Sequence, residues 1–282
     1  MLINPHPANW KEALHESLRE SEGFVYALVD GVHNEAVYQK LQKMDYLHYQ
    51  SLYATAPSAD EETLGLGPIL VQYSDTYRKR WDELLEMTNG LPALSIIVSP
   101  EPMDKLAARL IPWCVVDADD YTVALSFADT RILPTLVGTL DARQRGEFLG
   151  LATRWIYPGR DAVWLALMVE PEKALSASEN VALTAQQVSA LMAASEPDSI
   201  AYQMSQYIGK PLAGYTPFDA HVMISRWLQV ADHVKMESNR DRFALCEFGV
   251  ERPELIEDAR YLALLESGGG PRTLDETRAF LA

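Results

Sequence analysis

Acidic side chains at the ends of apolar runs are the first candidates for chemistry in this sequence. Asp30 closes the run Phe24-Val-Tyr-Ala-Leu-Val29 and is followed by Gly31; Asp117, Asp119 and Asp129 stand at similar breaks. Paired carboxylates can act as general acid and base when their surroundings push their titrations apart. Asp117-Ala-Asp119-Asp120 also gathers oxygen donors of the kind hard cations prefer. The EF-hand spacing is missing there, with no loop glycine and no distal glutamate in place. Turn formation and helix capping explain Asp30 as readily, since a short carboxylate satisfies unpaired backbone donors. Asp129 and Arg131 have the spacing to pair across a turn.

Other chemistry finds less footing. HExxH, GxSxG and the phosphate-binding GxxxxGK motif are all absent. Gly65-Leu-Gly67-Pro68 begins like a dinucleotide loop but lacks the third glycine, and Pro68 removes a backbone donor that a pyrophosphate needs. His6, His15, His33, His48, His221 and His233 include no two at metal-motif spacing, and no cysteine pair accompanies them. His15 falls on the polar side of a predicted helix whose Trp10, Leu14 and Leu18 face inward. Cys114 and Cys246 sit in apolar surroundings and read as buried free thiols of a reducing compartment. No catalytic residue, cofactor or metal ligand is assigned on this basis.

The elements that must position these residues alternate between strands and helices as far as about residue 170. Phe24–Val29, Tyr46–Tyr53, Ile69–Tyr73, Leu94–Val98, Tyr121–Phe127 and Val163–Val169 read as strands. Helical spacing links Val37, Leu41 and Met44, then Tyr77, Trp81 and Leu84, then Met103, Leu106 and Leu110. Asp141-Ala-Arg-Gln144 opens a further helix, expected to carry Phe148, Ala152 and Trp155. Continuous apolar runs alternating with helices predict an α/β lobe, layered, with a mixed or mostly parallel sheet. After Pro171 the character changes. Lys173 to Asn180 is small and polar, and beyond it helix-start signals recur without convincing strands. These are Thr184 with Gln187, Asp198, Thr216-Pro217, Ser238, and Thr273 with Glu276. The predicted division is therefore an α/β domain over 1–172 and an all-α lobe over 173–282.

Length and composition agree with a two-part globular protein. The chain has 282 residues, 48% of them hydrophobic, and a formal net charge of −16 shared by both halves. That charge argues against nucleic-acid binding, which needs clustered Lys and Arg. The N-terminus has no basic stretch leading into an apolar one, and no apolar run approaches the ~20 residues of a membrane span. A cytoplasmic location is expected.

An ordered series of short segments resembles the bacterial type VI secretion effector chaperones, also called adaptors. It begins with Phe24-Val-Tyr26-Ala-Leu-Val-Asp30-Gly31-Val32 and continues through Leu52-Tyr-Ala-Thr and Leu66-Gly67-Pro68-Ile-Leu-Val71. Ile97-Val-Ser99, Leu106 to Leu110, Leu125 to Leu133 with Asp129 and Arg131, and Phe148-Leu-Gly150 to Trp155 complete it. The series covers about residues 24–165. The family often has an arginine, an aromatic and a proline around its Asp-x-Arg element, where this chain has Ser126, Ala128 and Thr130; Leu151 stands where proline is frequent. The resemblance implies a non-enzymatic protein that binds a secreted effector and helps load it onto the VgrG spike protein. It also singles out Tyr26, Asp30, Gly31, Gly67, Pro68, Ser99, Asp129, Arg131, Gly150 and Trp155 as structural or partner-binding positions. Two rival expectations are a carboxylate-dependent hydrolase built on Asp30, Asp117, Asp119 and Asp129, and an immunity-like protein that neutralises a toxin by binding it. The hydrolase requires a concave pocket in which at least two of those carboxylates converge with perturbed titrations.

Overall fold

The computed structural model describes residues 2–44, 46–55, 59–118, 121–207 and 212–266. They divide into two compact units, one ending at Ala194 and the other starting at Ser195.

The first unit is built on the strands β1 (Phe24–Asp30), β2 (Tyr49–Ser51), β3 (Pro68–Gln72), β4 (Leu94–Ser99), β5 (Val115–Ala118), β6 (Tyr121–Ala124), β7 (Arg154–Pro158) and β8 (Trp164–Ala166). Its helices are α1 (Trp10–Leu18), α2 (Ala36–Leu41), α3 (Glu61–Leu66), α4 (Arg78–Thr88), α5 (Met103–Leu110), α6 (Leu133–Thr139) and α7 (Ala142–Leu149). Six strands form one sheet in the order β2-β3-β1-β4-β7-β8, and every neighbouring pair is antiparallel.

This corrects the expected mixed or mostly parallel sheet. The registers explain the error. β1 and β2, joined through α2, run the same way, but β3 lies between them. β3 and β4, joined through α4, also run the same way, with β1 between them. Each helical crossover is thus present, and an inserted strand turns every hydrogen-bonded pair antiparallel. Burial removed the other clue. Alternate β1 residues enter separate cores: Tyr26 and Leu28 on one face, Val25, Ala27 and Val29 on the other. α5 and α7 contribute Leu106, Leu110 and Phe148 to the first core. α1, α2 and α4 contribute Leu14, Val37 and Trp81 to the second. A sheet covered on both sides has continuous apolar strands whatever its direction, and such runs usually mark parallel sheets.

Two smaller expectations also change. Asp117 lies within β5, part of a separate antiparallel ribbon with β6, rather than in a polar break. Its backbone also bonds the 181–183 segment, donating to the Val181 carbonyl at 2.8 Å and accepting from Leu183 N–H at 2.8 Å. Asp119 and Asp120 lie outside the described residues. The helix at Asp141 begins as expected, with a reciprocal capping box between Asp141 and Gln144, but it ends at Leu149. Trp155 is a strand residue of β7, not a helical one. Gly150, at φ 53° and ψ −135°, breaks the helix in a conformation open essentially only to glycine.

The helix α8 (Ala185–Tyr207) carries the division between the units. Thr184 and Gln187 cap it reciprocally, Thr184 N–H donating to Gln187 Oε1 at 2.9 Å and Gln187 N–H to Thr184 Oγ1 at 3.2 Å. The expected second start at Asp198 does not occur, because α8 runs through Pro197. In the second unit, Thr216 caps α9 (Pro217–His233) and Ser238 caps α10 (Asn239–Glu251), ahead of α11 (Ala259–Glu266). Ile200, Met204, Ile224, Trp227, Phe248 and Tyr261 form its core. The helix start at Thr273 lies outside the described residues.

Candidate functional site

Apart from Trp155, the residues singled out from sequence gather at the two ends of the sheet. At one end, β1 finishes at Asp30 opposite Pro68, the first residue of β3. Gly31 N–H donates to the Gly67 carbonyl at 3.3 Å, and Asp30 N–H to the Ala93 carbonyl at 2.9 Å. A Cβ on Gly31 would overlap the Gly65 carbonyl oxygen, so this turn closes only with glycine. A Cβ on Gly67 would meet the Tyr53 ring. The loop after β6 reaches the same place, anchored by Thr130 N–H on the Pro92 carbonyl at 2.9 Å.

Asp30, His33, Asp129 and Arg131 meet there. Asp129, 4% exposed, is held by Arg131 from Nε to Oδ1 at 3.0 Å and from Nη2 to Oδ2 at 2.6 Å. Arg131 N–H adds a bond to Oδ1 at 2.8 Å. His33 Nε2 lies 3.0 Å from Asp129 Oδ2 and therefore donates to it. Asp30, also 4% exposed, accepts from Val32 N–H through Oδ1 at 3.1 Å, while its Oδ2 stands 3.9 Å from His33 Nε2.

The two carboxyls titrate far apart. Burial pushes Asp30 up to about 6, with Asp129 adding to the rise and His33 and Arg131 opposing it. Burial also acts upward on Asp129, but the hydrogen bonds from His33 and Arg131 outweigh it and hold that group at about 2. Such a split is the pattern of an acid and base pair, and also of a buried ion pair beside a half-compensated acid. Of the other acids proposed for hydrolysis, Asp117 is in β5 and does not join the cluster.

The opposite end of the sheet carries a second buried network. Ser99 ends β4 and its Oγ accepts from Glu101 N–H at 3.1 Å. Tyr26 Oη donates to the Glu101 carbonyl at 2.9 Å, and burial raises that phenol to about 12. Arg109 Nη2 reaches Glu101 Oε1 at 2.6 Å, while its Nη1 donates to the carbonyls of Glu147 at 3.0 Å and Leu175 at 2.7 Å. Gly150 packs directly against that guanidinium. Trp155 is separate from both networks: it stacks on Phe148 and donates from Nε1 to Ser95 Oγ at 3.0 Å. A cavity of about 120 Å³ beside α7 is lined by Arg145, Gly146, Leu149, Gly150, Glu170 and Lys173, with none of the strand-end acids.

His33, Glu101 and Arg109 were not found from sequence. His33 lies 96 positions from its partner Asp129, a separation no local pattern reports. Arg109 did carry a signal, since it sits beside Leu106 and Leu110 on a short helix and is itself buried. His15 differs from expectation too. It is 1% exposed, bonded to Tyr73 Oη at 3.0 Å and Asp82 Oδ1 at 2.8 Å, so its polarity is satisfied inside.

No curated protein and no solved structure gives a match to the chain. Residues 25–147, a stretch holding Asp30, His33, Glu101, Arg109, Asp129 and Arg131 but stopping short of Gly150, match the family described as Domain of unknown function (DUF4123).

Proposed function

We propose that this protein is a non-enzymatic, cytoplasmic adaptor that binds a secreted type VI effector and helps load it onto the VgrG spike. The observation that carries the reading is positional. The family match over 25–147 falls on the same stretch as most of the residue series that resembles the effector chaperones, whose shared domain has itself carried an unknown-function label. The roles of the matching residues support it. Gly31, Gly67 and Pro68 close a turn; Asp129 and Arg131 lock a loop; Ser99 and Tyr26 hold the Glu101 segment. These are duties of a scaffold that presents surfaces. Exposed apolar side chains are available for a partner, among them Val163 (55%), Leu165 (45%) and Met168 (78%) on and beside the edge strand β8.

Co-purification of the full chain with the effector and spike encoded beside it tests the proposal. Formation of a complex with either supports it, and no complex with either at micromolar concentration removes it. A complex that also abolishes the toxin's activity favours the immunity-like alternative.

One observation favours the hydrolase reading, namely the convergence of Asp30 and Asp129 with opposed titrations. The guanidinium bound to both oxygens of Asp129 weighs against it, because it holds that carboxylate as an anion and makes it a weak base. Hydrolysis lost on Asp30→Asn without loss of folding would restore it.

A further inference from the structure

One imidazole nitrogen and two carboxylate oxygens, from Asp30, His33 and Asp129, all lie within 4.8 Å of one another. We propose that these three residues form a divalent-metal site, with Zn²⁺ as the ion whose preferences they fit best. This goes beyond the adaptor reading and does not depend on it.

The donor set is the first argument. Imidazole nitrogen and carboxylate oxygen together suit Zn²⁺, which binds each at about 2.0–2.2 Å and prefers a tetrahedral arrangement. Tetrahedral bonds of that length place neighbouring ligand atoms about 3.3–3.6 Å apart. The separations from His33 Nε2, 3.0 Å to Asp129 Oδ2 and 3.9 Å to Asp30 Oδ2, straddle that spacing. The two carboxylate oxygens lie within 4.8 Å of each other, so closing all three ligand atoms onto one ion takes rotamer adjustments of up to about an ångström.

Charge is the second argument. Two carboxylates face one guanidinium, so the cluster is one negative charge in excess while His33 is neutral. The excess falls on Asp30, which is buried yet accepts no hydrogen bond at Oδ2 from the described residues. Burying a carboxylate without full compensation is costly, and a bound cation removes the cost. His33 Nε2 now shares a proton with Asp129 Oδ2; the ion takes that proton's place between the same two atoms.

Arg131 shapes the site without excluding the ion. It bonds both oxygens of Asp129, with Nη2 sharing Oδ2 with His33, so it fixes the orientation of that carboxylate while its charge limits the affinity. The function assigned to the ion is structural. It ties the turn after β1 to the loop after β6, two segments that the His33–Asp129 bond joins among the described residues.

The test uses the full chain, stripped with a chelator, dialysed, and titrated with zinc chloride alone at about pH 7.5. Calorimetry and metal analysis are expected to show one equivalent bound at micromolar strength or tighter, with a rise in thermal midpoint on loading. Asp30→Asn and His33→Gln should each weaken binding at least about tenfold, roughly 1.4 kcal/mol. Asp30→Asn keeps an acceptor for Val32 N–H, so it decides the question if His33→Gln fails to fold. Absence of uptake at about 100 µM zinc overturns the proposal. Uptake of equal strength in wild type and Asp30→Asn overturns it as well, since the ion then sits elsewhere.

Discussion

A side chain on Gly150 would overlap the guanidinium of Arg109, so it is the missing Cβ that lets the buried arginine reach the end of α7. Gly150 is also held at φ 53°, where an L-residue is strained even in open space. Gly150→Ala should therefore destabilise the first unit by at least about 2 kcal/mol, from strain and overpacking together. Urea denaturation followed by tryptophan fluorescence measures it, and a midpoint like wild type's would show that Arg109 has somewhere else to go.

Glu101 and Arg109 are each 8% exposed, so neither has water to fall back on. Arg109→Ala leaves the Glu101 carboxylate and two backbone carbonyls uncompensated and should cost about 3–5 kcal/mol. Replacing both residues by leucine or methionine removes the orphaned charge and should recover much of that loss. A double-mutant cycle reads the coupling; strict additivity of the two single changes would mean that the pair does not act as a unit.

The contrast between these networks and the rest of the fold shows what local pattern can report. β1, β4 and α5 were legible because apolar runs and 3.6-residue spacing are written within a few neighbouring positions. The helix starts at Asp141 and Thr184 were legible for the same reason. Strand direction was not, because it depends on which strand enters beside β1, and Phe24–Asp30 reads alike in either setting. β7 was hidden by Phe148, Ala152 and Trp155, whose spacing mimics a helix across the break that Gly150 makes. Of the strand-end cluster, the Asp129–Arg131 pair is local and visible. Its link to His33 and Asp30 exists only once β1 and the loop after β6 share one end of the sheet.

Both cysteines are expected to be silent in the folded protein. Cys114 and Cys246 are 4% and 0% exposed, and burial raises each thiol to about 12, leaving almost no thiolate near neutral pH. An aromatic disulfide reagent should titrate two thiols promptly in urea and react orders of magnitude more slowly without it. Fast labelling of either residue in native conditions would mean that its unit opens readily.

Gly31→Ala should be among the most damaging single substitutions in the chain. The new methyl would meet the Gly65 carbonyl, and neither backbone can move without breaking the Gly31–Gly67 bond or the start of β3 at Pro68. Poor soluble yield, or a loss above about 3 kcal/mol, is the expected outcome. Near-normal stability would show that the 31–33 turn shifts as a body.

The strand-end carboxylates should give stability two opposed dependences on pH in metal-free protein. Asp30 rises from 3.8 to about 6 on folding. Between those values the folded state keeps a proton that the unfolded chain has released, so its contribution declines as pH rises through the window and is flat above it. The full swing is on the order of 2–3 kcal/mol. Asp129 moves the other way, from 3.8 to about 2, so its contribution is present above 3.8 and disappears as pH falls toward 2. Asp30→Asn should consequently be at least as stable as wild type at pH 7 and should lose the decline between about pH 4 and 6. Asp129→Asn should be less stable at pH 7 by about 1–3 kcal/mol, since Arg131 and His33 both lose the carboxylate to which they donate. Urea midpoints at several values between about pH 4 and 7, in chelator, separate the two. If Asp30→Asn retains the wild-type slope in that window, another group is responsible for it, and Asp30 is compensated in the folded protein by something other than a proton.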